Sequence, residues 1–330
     1  VTVEDNVNPT AVCQNITVQL DASGNATIVA GDIDNGSSDN CSVASISSDI
    51  TSFDCANVGT NIVTLTVTDV NGNVSTCTST VTIEDNVPPT PVCQDITVQL
   101  DALGTAIITA SQIDNGSSDN CAIATLAIDQ TSFDCSEVGA NTVMLTVTDV
   151  NGNVSTCDAV VTVEDNVAPI ALCQDITIQL DATGNATITP ADVDNGSSDN
   201  CAIASLVVDP NAFTCAEEGP NTVTLTVTDV NGNVSTCTST VTVENNVAPN
   251  VFCQDITVYL DATGNVGIIA DDVNGGSNAS CGLASLTVTP DAFDCSNIGP
   301  NTVTLTAVDN SGNSSTCTAI VTVVDTVNPI

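Results

Sequence analysis

The sequence predicts an all-β protein, a tandem array of four β-sandwich domains of about 80 residues each, with two disulfides per domain. Three observations predict it. The cysteines recur with one fixed period, apolar and polar residues alternate along the segments between them, and turns containing Gly and Asn separate those segments. A long fixed period without insertions indicates small domains in tandem rather than one large core.

The 16 cysteines fall into four series, and the interval from Cys13 to Cys93 is repeated between successive members of every series. In order of position within the repeat, the series are Cys13, Cys93, Cys173 and Cys253; Cys41, Cys121, Cys201 and Cys281; Cys55, Cys135, Cys215 and Cys295; and Cys77, Cys157, Cys237 and Cys317. An even number of cysteines per short repeat predicts a disulfide framework in an oxidising compartment, outside the cell or on its surface. Zinc is excluded because no two cysteines have the two-to-four-residue spacing of zinc ligands.

The period places the domain boundaries. We expect a joint segment over residues 1–9, equivalent to the end of a preceding repeat's last strand, and repeats over residues 10–86, 87–166, 167–246 and 247–330. The chain starts and stops on the same inter-repeat sequence, and we expect it to be a segment of something longer. No apolar run approaches the ~20 residues of a membrane span, so no membrane insertion is expected.

The first half of repeat 1 predicts four short strands. Residues 16–20 alternate apolar and polar side chains, and residues 26–30 follow a turn that contains Gly24, which predicts a hairpin. A polar loop over residues 34–40 precedes two further strands, at residues 43–48 and around Phe53.

The second half of repeat 1 predicts the longest hairpin, residues 61–68 and 74–84 around a turn at residues 69–73. Alternation places one apolar set inward, and its members are Val63, Leu65, Val67, Cys77, Val81 and Ile83. Turn signals every 8–12 residues predict a sandwich of about seven strands. No segment has helical periodicity.

So small a domain has little apolar surface to bury, and disulfides are expected to provide the stability that burial alone does not. Each repeat contains one phenylalanine for the core, namely Phe53, Phe133, Phe213 and Phe293. The four cysteines of a repeat allow three connectivities. We favour Cys13–Cys77, which joins the first strand to the last, and Cys41–Cys55, which closes a short loop. The same pairing is expected in the other repeats.

Several positions of the repeat resemble the hyalin-repeat (HYR) domain, an immunoglobulin-like extracellular module. The matching positions, present in all four copies, are in the first repeat Phe53, Gly59, Val63, Asp69, Gly72, Asn73, Cys77 and Val81. Two departures are Gln14, where animal repeats favour Pro, and the absence of Trp. Similar tandem repeats occur in large secreted proteins of Bacteroidetes-type bacteria. The resemblance implies immunoglobulin-like sandwiches, an adhesive or structural extracellular role and no enzymatic activity.

Charge restricts the partners. The chain has no Lys, Arg or His and 40 Asp and Glu residues, a formal net charge of −40. Nucleic acid is excluded because nothing in the sequence neutralises a phosphate, and anionic membranes are excluded for the same reason. Dissolved Ca²⁺ is the expected counter-charge, since it prefers carboxylate and carbonyl oxygens. The alternative is that the acidic residues only keep the protein soluble.

Sandwich topology brings the acidic residues to the joints between repeats, because the loops after the second and sixth strands lie beside the incoming linker. Three or four carboxylates and several amide oxygens are expected to meet there. The predicted calcium ligands, joint by joint, are Glu4, Asp5, Asp34, Asp39 and Asp69; Glu84, Asp85, Asp114, Asp119 and Asp149; Glu164, Asp165, Asp194, Asp199 and Asp229; and Glu244, Asp272 and Asp309. The competing interpretation is that Asp and Asn before Gly only form turns.

The fourth repeat departs from this pattern. Its linker, residues 244–246, has Asn245 in place of the second acid, and its loop at residues 272–278 is rich in amides. The weakest calcium site, or none, is expected at this joint, which would then act as a hinge.

The sequence predicts a structural role rather than catalysis. General acid–base catalysis is restricted in a chain without His or Lys, since only Asp and Glu remain as acids or bases. We expect a component of an extracellular filament or surface stalk, stiffened by Ca²⁺ at the joints and assembling with itself head to tail. The alternative is the repeat region of a cell-surface adhesin. Surface glycans and other matrix proteins are further candidate partners.

Overall fold

The computed structural model describes residues 1–327, and it confirms the all-β class, the four repeats and the immunoglobulin-like sandwich. Six strands recur in every repeat with the period of the sequence. Residues 328–330, the end of the predicted fourth repeat, lie outside the described part. The domain boundaries remain predictions.

The strands of the first two repeats have matching bounds. In repeat 1 they are β1 Ile16–Gln19, β2 Asn25–Thr27, β3 Val43–Ser48, β4 Ser52–Asp54, β5 Gly59–Asp69 and β6 Val74–Glu84. In repeat 2 they are β7 Ile96–Gln99, β8 Thr105–Ile107, β9 Ile123–Ile128, β10 Ser132–Asp134, β11 Gly139–Asp149 and β12 Val154–Glu164.

The last two repeats follow the same order. In repeat 3 the strands are β13 Ile176–Gln179, β14 Asn185–Thr187, β15 Ile203–Asp209, β16 Ala212–Thr214, β17 Gly219–Asp229 and β18 Val234–Glu244. In repeat 4 they are β19 Ile256–Tyr259, β20 Asn265–Gly267, β21 Leu283–Thr289, β22 Ala292–Asp294, β23 Gly299–Asp309 and β24 Ser314–Val324.

Helices are confined to single turns. The α-helical turns are α1 Ala30–Ile33, α2 Ala110–Ile113 and α3 Pro190–Val193. The 3-10 turns are Cys55–Asn57, Cys135–Glu137, Cys215–Glu217, Ala270–Val273 and Cys295–Asn297. None of the helices within residues 1–327 is long and apolar enough to span a membrane.

Each repeat has a four-stranded sheet and a two-stranded sheet. In repeat 1 the larger sheet has the order β1-β6-β5-β3, and β2 pairs with β4 in the smaller one. The predicted hairpin is confirmed as antiparallel β5 and β6, with Leu65 opposite Cys77. The first strand, β1, runs parallel to β6.

The turn around Gly24 does not make the predicted hairpin. It is a tight turn, closed by a 2.9 Å hydrogen bond from the Gly24 N–H to the Asp21 carbonyl, and Gly24 has a φ of +74°, which favours glycine. However, β1 and β2 belong to different sheets. The hairpin prediction was wrong because the turn crosses the sandwich instead of joining neighbouring strands.

The core of each repeat lies between its two sheets. In repeat 1 the inward set is confirmed, because Val63, Leu65 and Val67 are fully buried. Phe53 from the smaller sheet packs in the same cluster. The polar side chains of the intervening residues therefore face outward, as strand alternation requires.

The disulfides correct the second predicted pairing. Cys13–Cys77 is confirmed, with a Cα–Cα distance of 5.9 Å. The same bond recurs as Cys93–Cys157, Cys173–Cys237 and Cys253–Cys317.

The short-loop pairings Cys41–Cys55, Cys121–Cys135, Cys201–Cys215 and Cys281–Cys295 were wrong. Cys55 bonds Cys121 of the next repeat, 66 residues away, and Cys215 bonds Cys281 in the same way. Cys41 and Cys295 are free and exposed. The partner is decided by proximity across the joint, which spacing within one repeat cannot show.

The chain divides into two compact units, one over Val1–Asn166 and the other beginning at Val167. The first unit holds repeats 1 and 2 with the joint between them. The second holds repeats 3 and 4 with theirs. These two joints are therefore described separately below.

Candidate metal centre

Three carboxylates meet where repeat 1 passes into repeat 2. Asp85 follows β6 in the linker, Asp119 lies in the loop before β9, and Asp149 ends β11. One carboxylate oxygen from each lies within 4.8 Å of the others. Asp85 is 6% exposed and Asp149 is 1% exposed. The joint thus concentrates negative charge away from solvent.

Hydrogen bonds within the loops hold two of these carboxylates in place. The Oδ1 atom of Asp149 accepts the backbone N–H groups of Asn151 at 2.9 Å and Asn153 at 2.8 Å. The Oδ2 atom of Asp119 accepts the N–H of Cys121 at 2.8 Å. The side chain of Asn153 also donates to the Asp85 carbonyl at 3.0 Å, which ties the linker to the turn.

Other oxygens at this joint are left without a donor. Among the described residues, no hydrogen bond reaches four buried oxygens, namely Asp85 Oδ2, Asp119 Oδ1, Asn120 Oδ1 and Asn151 Oδ1. The sequence has no cationic side chain to pair with them. An unpaired buried charge is costly, and clustered oxygens of this kind are what Ca²⁺ binds, with 6–8 ligands at 2.3–2.6 Å. The residues therefore fit a hard cation.

A related cluster lies at the N-terminal end of repeat 1. Single ligand atoms of Asp5, Asp39 and Cys41 lie within 4.8 Å of one another, and Asp5 Oδ2 has no hydrogen-bond partner among the described residues. The Asn73 side chain donates to the Asp5 carbonyl at 3.1 Å and to Asp69 Oδ2 at 2.7 Å. Asp5 is therefore tied to the turn of repeat 1 in the same way as Asp85 of the linker is tied to the turn of repeat 2.

The pKa values of Asp149 and Asp5 favour the ionised carboxylate. Burial acts to raise the pKa of Asp149, but hydrogen bonds from Asn153, Asn151 and Gly152 outweigh it and leave the pKa below its usual value. A hydrogen bond with the Cys41 thiol lowers the pKa of Asp5, and the same bond raises the pKa of Cys41. Asp149 and Asp5 therefore stay charged and able to bind a cation.

The joint between repeats 3 and 4 replaces two of the three carboxylates. Asn245 stands at the position of Asp85 and Ala279 at that of Asp119, while Asp309 corresponds to Asp149. The Asn245 Nδ2 donates to Asp309 Oδ2 at 3.1 Å and to Ser311 Oγ at 3.0 Å. An amide donor here takes the position of a carboxylate. That this joint binds calcium weakly or not at all remains a prediction.

The predicted glutamates lie away from the cluster. Three of the four accept a 2.7 Å hydrogen bond from a glutamine side chain on the neighbouring strand, in the pairs Glu84 with Gln19, Glu164 with Gln99 and Glu244 with Gln179. Glu4 is exposed. The carboxylates of Glu84, Glu164 and Glu244 thus connect neighbouring strands.

Four further predicted ligands serve local turns. Asp34, Asp114 and Asp194 accept the N–H of the serine three residues later, at 3.1, 3.0 and 3.0 Å. Asp272 caps its helical turn by accepting the Ile269 N–H at 2.8 Å, and the residue equivalent to Asp194 is Asn274. The turn-forming interpretation accounts for these four.

Three further predicted ligands are divided between the two units. Asp165 is buried in the first unit. In the second, Asp229 accepts the Asn231 N–H at 2.8 Å, and Asp199 accepts the Cys201 N–H at 2.9 Å. Their loops repeat the arrangement around Asp149 and Asp119.

Replacing Asp149 by Ala is expected to destabilise repeat 2 by about 2 kcal/mol, because backbone and side-chain N–H groups of the turn lose their acceptor. Urea unfolding in excess chelator measures this effect without any contribution from metal. Glu84→Gln, an exposed substitution, is the control and should change stability by less than about 0.5 kcal/mol. Equal effects of the two substitutions would contradict the structural role of Asp149.

Comparison with known proteins finds sequence similarity to hyalin. Hyalin of Strongylocentrotus purpuratus is 31% identical over 302 residues, which cover 82% of this chain and 24% of hyalin. The chain thus spans about a quarter of that relative's length. No family model matches the chain.

Solved structures with similarity are cadherin ectodomains. Protocadherin gamma B7 extracellular domains 1–4 are 12% identical, covering 94% of this chain and 100% of that chain, with a TM-score of 0.32. Drosophila N-cadherin EC1–4 is 12% identical, covering 94% and 99%, with a TM-score of 0.30. Similarity at this level does not bear on function. Over most of its length the chain is therefore hyalin-like in sequence.

Proposed function

We propose that this chain is a structural component of an extracellular filament or surface stalk, in which Ca²⁺ at the joints stiffens the array of repeats. The observation that carries the proposal is the set of unpartnered buried oxygens at the joint of repeats 1 and 2, above all Asp85 Oδ2. A cation bound there would hold residues of the linker and of two loops at once. The joint would then lose its freedom to bend.

Charge balance supports the same function. The three carboxylates of the joint lie within 4.8 Å of one another, and like charges at such distances repel. Without a counter-ion the linker and loops would be pushed apart. With Ca²⁺ bound, the same groups become ligands, so joint stiffness depends on the calcium concentration outside the cell. The many disulfides agree with an oxidising extracellular location.

Filament formation is the second part of the proposal. The N-terminal cluster of Asp5, Asp39 and Cys41 resembles one half of an internal joint. A second copy that presented the far end of repeat 4 to this cluster would reproduce the joint between chains. Repetition of one contact of this heterologous kind produces an open filament.

A thermal melt of the purified chain tests the calcium sites. We expect a Ca²⁺-specific rise in melting temperature over excess chelator, since a ligand at 100 times its dissociation constant stabilises by about 2.7 kcal/mol per site. Mg²⁺ and high salt are the controls. A rise of the same size in either control would mean charge screening alone and would count against the sites.

An adhesin is the second candidate function. Repeat 4 carries two exposed aromatic side chains that the other repeats lack, Phe252, which is 52% exposed, and Tyr259, which is 58% exposed. Aromatic side chains are enriched at protein interfaces. Electron microscopy separates the candidates, because a filament protein forms filaments in purified material and an adhesin repeat region remains dispersed.

A further inference from the structure

One disulfide crosses the joint of repeats 1 and 2 beside the clustered carboxylates. Cys55 follows β4 directly in repeat 1, and Cys121 lies in the loop before β9 in repeat 2. The two are bonded, with a Cα–Cα distance of 5.3 Å. Asp119, two residues before Cys121, is one of the three clustered carboxylates. The bond therefore fastens a loop that carries a candidate ligand to the preceding repeat.

The sulfur in repeat 1 is held in a fixed place. Asp54 caps the 3-10 turn by accepting the Ala56 N–H at 2.9 Å, and the Asp54 N–H donates to Asn57 Oδ1 at 2.9 Å. A Cβ at Gly24 would approach Cys55 Sγ to 2.8 Å, so the glycine turn packs directly on the sulfur. Cys55 therefore has little freedom to follow a moving loop.

The bonded cysteine of repeat 2 also orients a carboxylate. The Cys121 N–H donates to Asp119 Oδ2 at 2.8 Å, and the Ala122 N–H donates to the same atom at 3.1 Å. Asp119 Oδ1 receives no hydrogen bond from the described residues. The side chain that is bonded to repeat 1 and an N–H that orients the carboxylate thus belong to one residue.

Asn120, which lies between these two residues, is fastened to repeat 1 as well. Its Nδ2 donates to the Asp21 carbonyl at 3.2 Å and to Asp85 Oδ1 at 3.1 Å. Its carbonyl oxygen lies 3.5 Å from Cys55 Sγ. Its Oδ1, like Asp119 Oδ1, is one of the buried oxygens of the joint without a hydrogen bond among the described residues. Both oxygens therefore belong to the segment that the disulfide holds.

The disulfide opposes the repulsion within the ion-free cluster. The three carboxylates lie within 4.8 Å of one another, and like charges at such distances push the linker and the loops apart. A covalent bond across the joint keeps the loop of repeat 2 in place against this force. Ligands that are already assembled bind an ion more tightly, because less conformational freedom is lost on binding.

We propose that the Cys55–Cys121 disulfide is a redox control on calcium binding at this joint. The intact bond assembles the ligands, and its reduction weakens calcium binding. The inference rests on the calcium site proposed above and adds its regulation. Coupling between two sites is reciprocal, so bound calcium makes this disulfide harder to reduce by the same factor. A thiol reductant then loosens the joint at constant calcium concentration.

The joint of repeats 3 and 4 contains the same bond without the carboxylate cluster. Cys215 bonds Cys281 with a Cα–Cα distance of 5.4 Å. Ala279 stands at the position of Asp119 in this joint. The Cys215–Cys281 bond is therefore an internal control in the same chain, and its reduction should not depend on calcium.

Reduction by dithiothreitol is the test reaction. One thiolate of the reagent attacks a sulfur of the protein disulfide and releases one cysteine thiol. The second thiolate of the reagent attacks the mixed disulfide and releases the other cysteine thiol. The protein disulfide gains two electrons and two protons, and the reagent becomes a cyclic disulfide.

The experiment equilibrates the full chain in mixtures of reduced and oxidised dithiothreitol with saturating Ca²⁺, with Mg²⁺ or with chelator. Alkylation and peptide mass spectrometry then measure the thiol fraction at each cysteine. We expect the equilibrium constant for reduction of Cys55–Cys121 to be about fivefold lower in Ca²⁺ than in chelator, or lower still. Cys215–Cys281 should be reduced equally in all three solutions.

The possible outcomes distinguish this inference from the proposed function. A melting temperature that rises with calcium, together with calcium-independent reduction of Cys55–Cys121, would overturn the inference alone. A chain without a calcium-specific rise would overturn both. Equal protection of Cys93–Cys157 would mean that calcium stabilises repeat 2 as a whole, and an equal effect of Mg²⁺ would mean charge screening. Either result would overturn the coupling.

A pair of cysteine variants provides an independent measurement. Cys55→Ser with Cys121→Ser should need about fivefold more Ca²⁺ than the parent for half-maximal hydrogen-exchange protection of residues 119–121. Cys215→Ser with Cys281→Ser is the matched control and should leave that midpoint unchanged. An unchanged midpoint in the first variant would contradict the inference. If that variant does not fold, reduction of the parent chain decides.

Discussion

Giving the joint of repeats 1 and 2 the residues found at the joint of repeats 3 and 4 is expected to abolish its calcium dependence. The double substitution Asp85→Asn and Asp119→Ala copies Asn245 and Ala279 and removes two of the three clustered carboxylates. The variant should lose the stabilisation of about 2.7 kcal/mol expected for that site at 100 times the dissociation constant. In chelator, Asp85→Asn should relieve repulsion between carboxylates, whereas Asp119→Ala removes the acceptor of the Cys121 N–H, so the dependence on calcium rather than the absolute stability is the readout.

The joint of repeats 3 and 4 shows how asparagine at position 85 would relieve the repulsion. Asn245 donates to Asp309 Oδ2 at 3.1 Å, so an asparagine at position 85 can donate to Asp149 in the same way. Hydrogen exchange of the peptides around residues 85 and 119 measures the effect locally. The converse substitution, Asn245→Asp with Ala279→Asp, is the matched control. It should create calcium-dependent protection where none is expected in the parent.

A variant that kept its calcium-dependent protection at residue 85 would show that the cation binds elsewhere. Protection lost equally in calcium and in chelator would instead mean that the joint had unfolded. The double substitution therefore separates a metal site from a purely structural cluster.

Removing the disulfide within a repeat is expected to have the largest effect on stability. Cys93 and Cys157 are 64 residues apart, and the chain-entropy model assigns about 4 kcal/mol to a loop of that length. Replacing both by Ala should lower the free energy of unfolding of repeat 2 by about that amount. A domain with one aromatic core residue, Phe133, has little burial to offset the loss.

Urea unfolding of the full chain measures this effect as a separate early transition. Cys41→Ser and Cys295→Ser are the controls, because both cysteines are free and exposed, and each should change stability by less than about 0.5 kcal/mol. A Cys93/Cys157 variant as stable as these controls would mean that the unfolded chain is not restricted by the bond.

The candidate site was partly predictable. Asp85, Asp119 and Asp149 were among the predicted ligands, because strand order alone places their loops at one end of the domain. Glu84 was predicted with them but bonds Gln19 across the strands at 2.7 Å. Glu84 is the last residue of β6, where pairing with β1 holds its side chain, whereas Asp85 follows in the linker and reaches the joint.

The amide oxygens of Asn120 and Asn151 were harder to predict. Several amide oxygens were expected at the joint, but both residues sit in turns where asparagine is common for backbone reasons, so residue type alone did not show which amides these would be. Their unpartnered oxygens became visible only once the donors around them were placed.

The sequence by itself determined the number of repeats, the strands and the inward face. The fixed period of the cysteines and the alternation along 61–68 are local patterns, and local backbone geometry turns them directly into strands with a buried side. Tertiary structure decided which cysteines bond and which carboxylates meet. Cys55 reaches Cys121 rather than Cys41 because folding brings the end of one repeat against the start of the next, and distances across that joint are not encoded in the spacing of any single repeat.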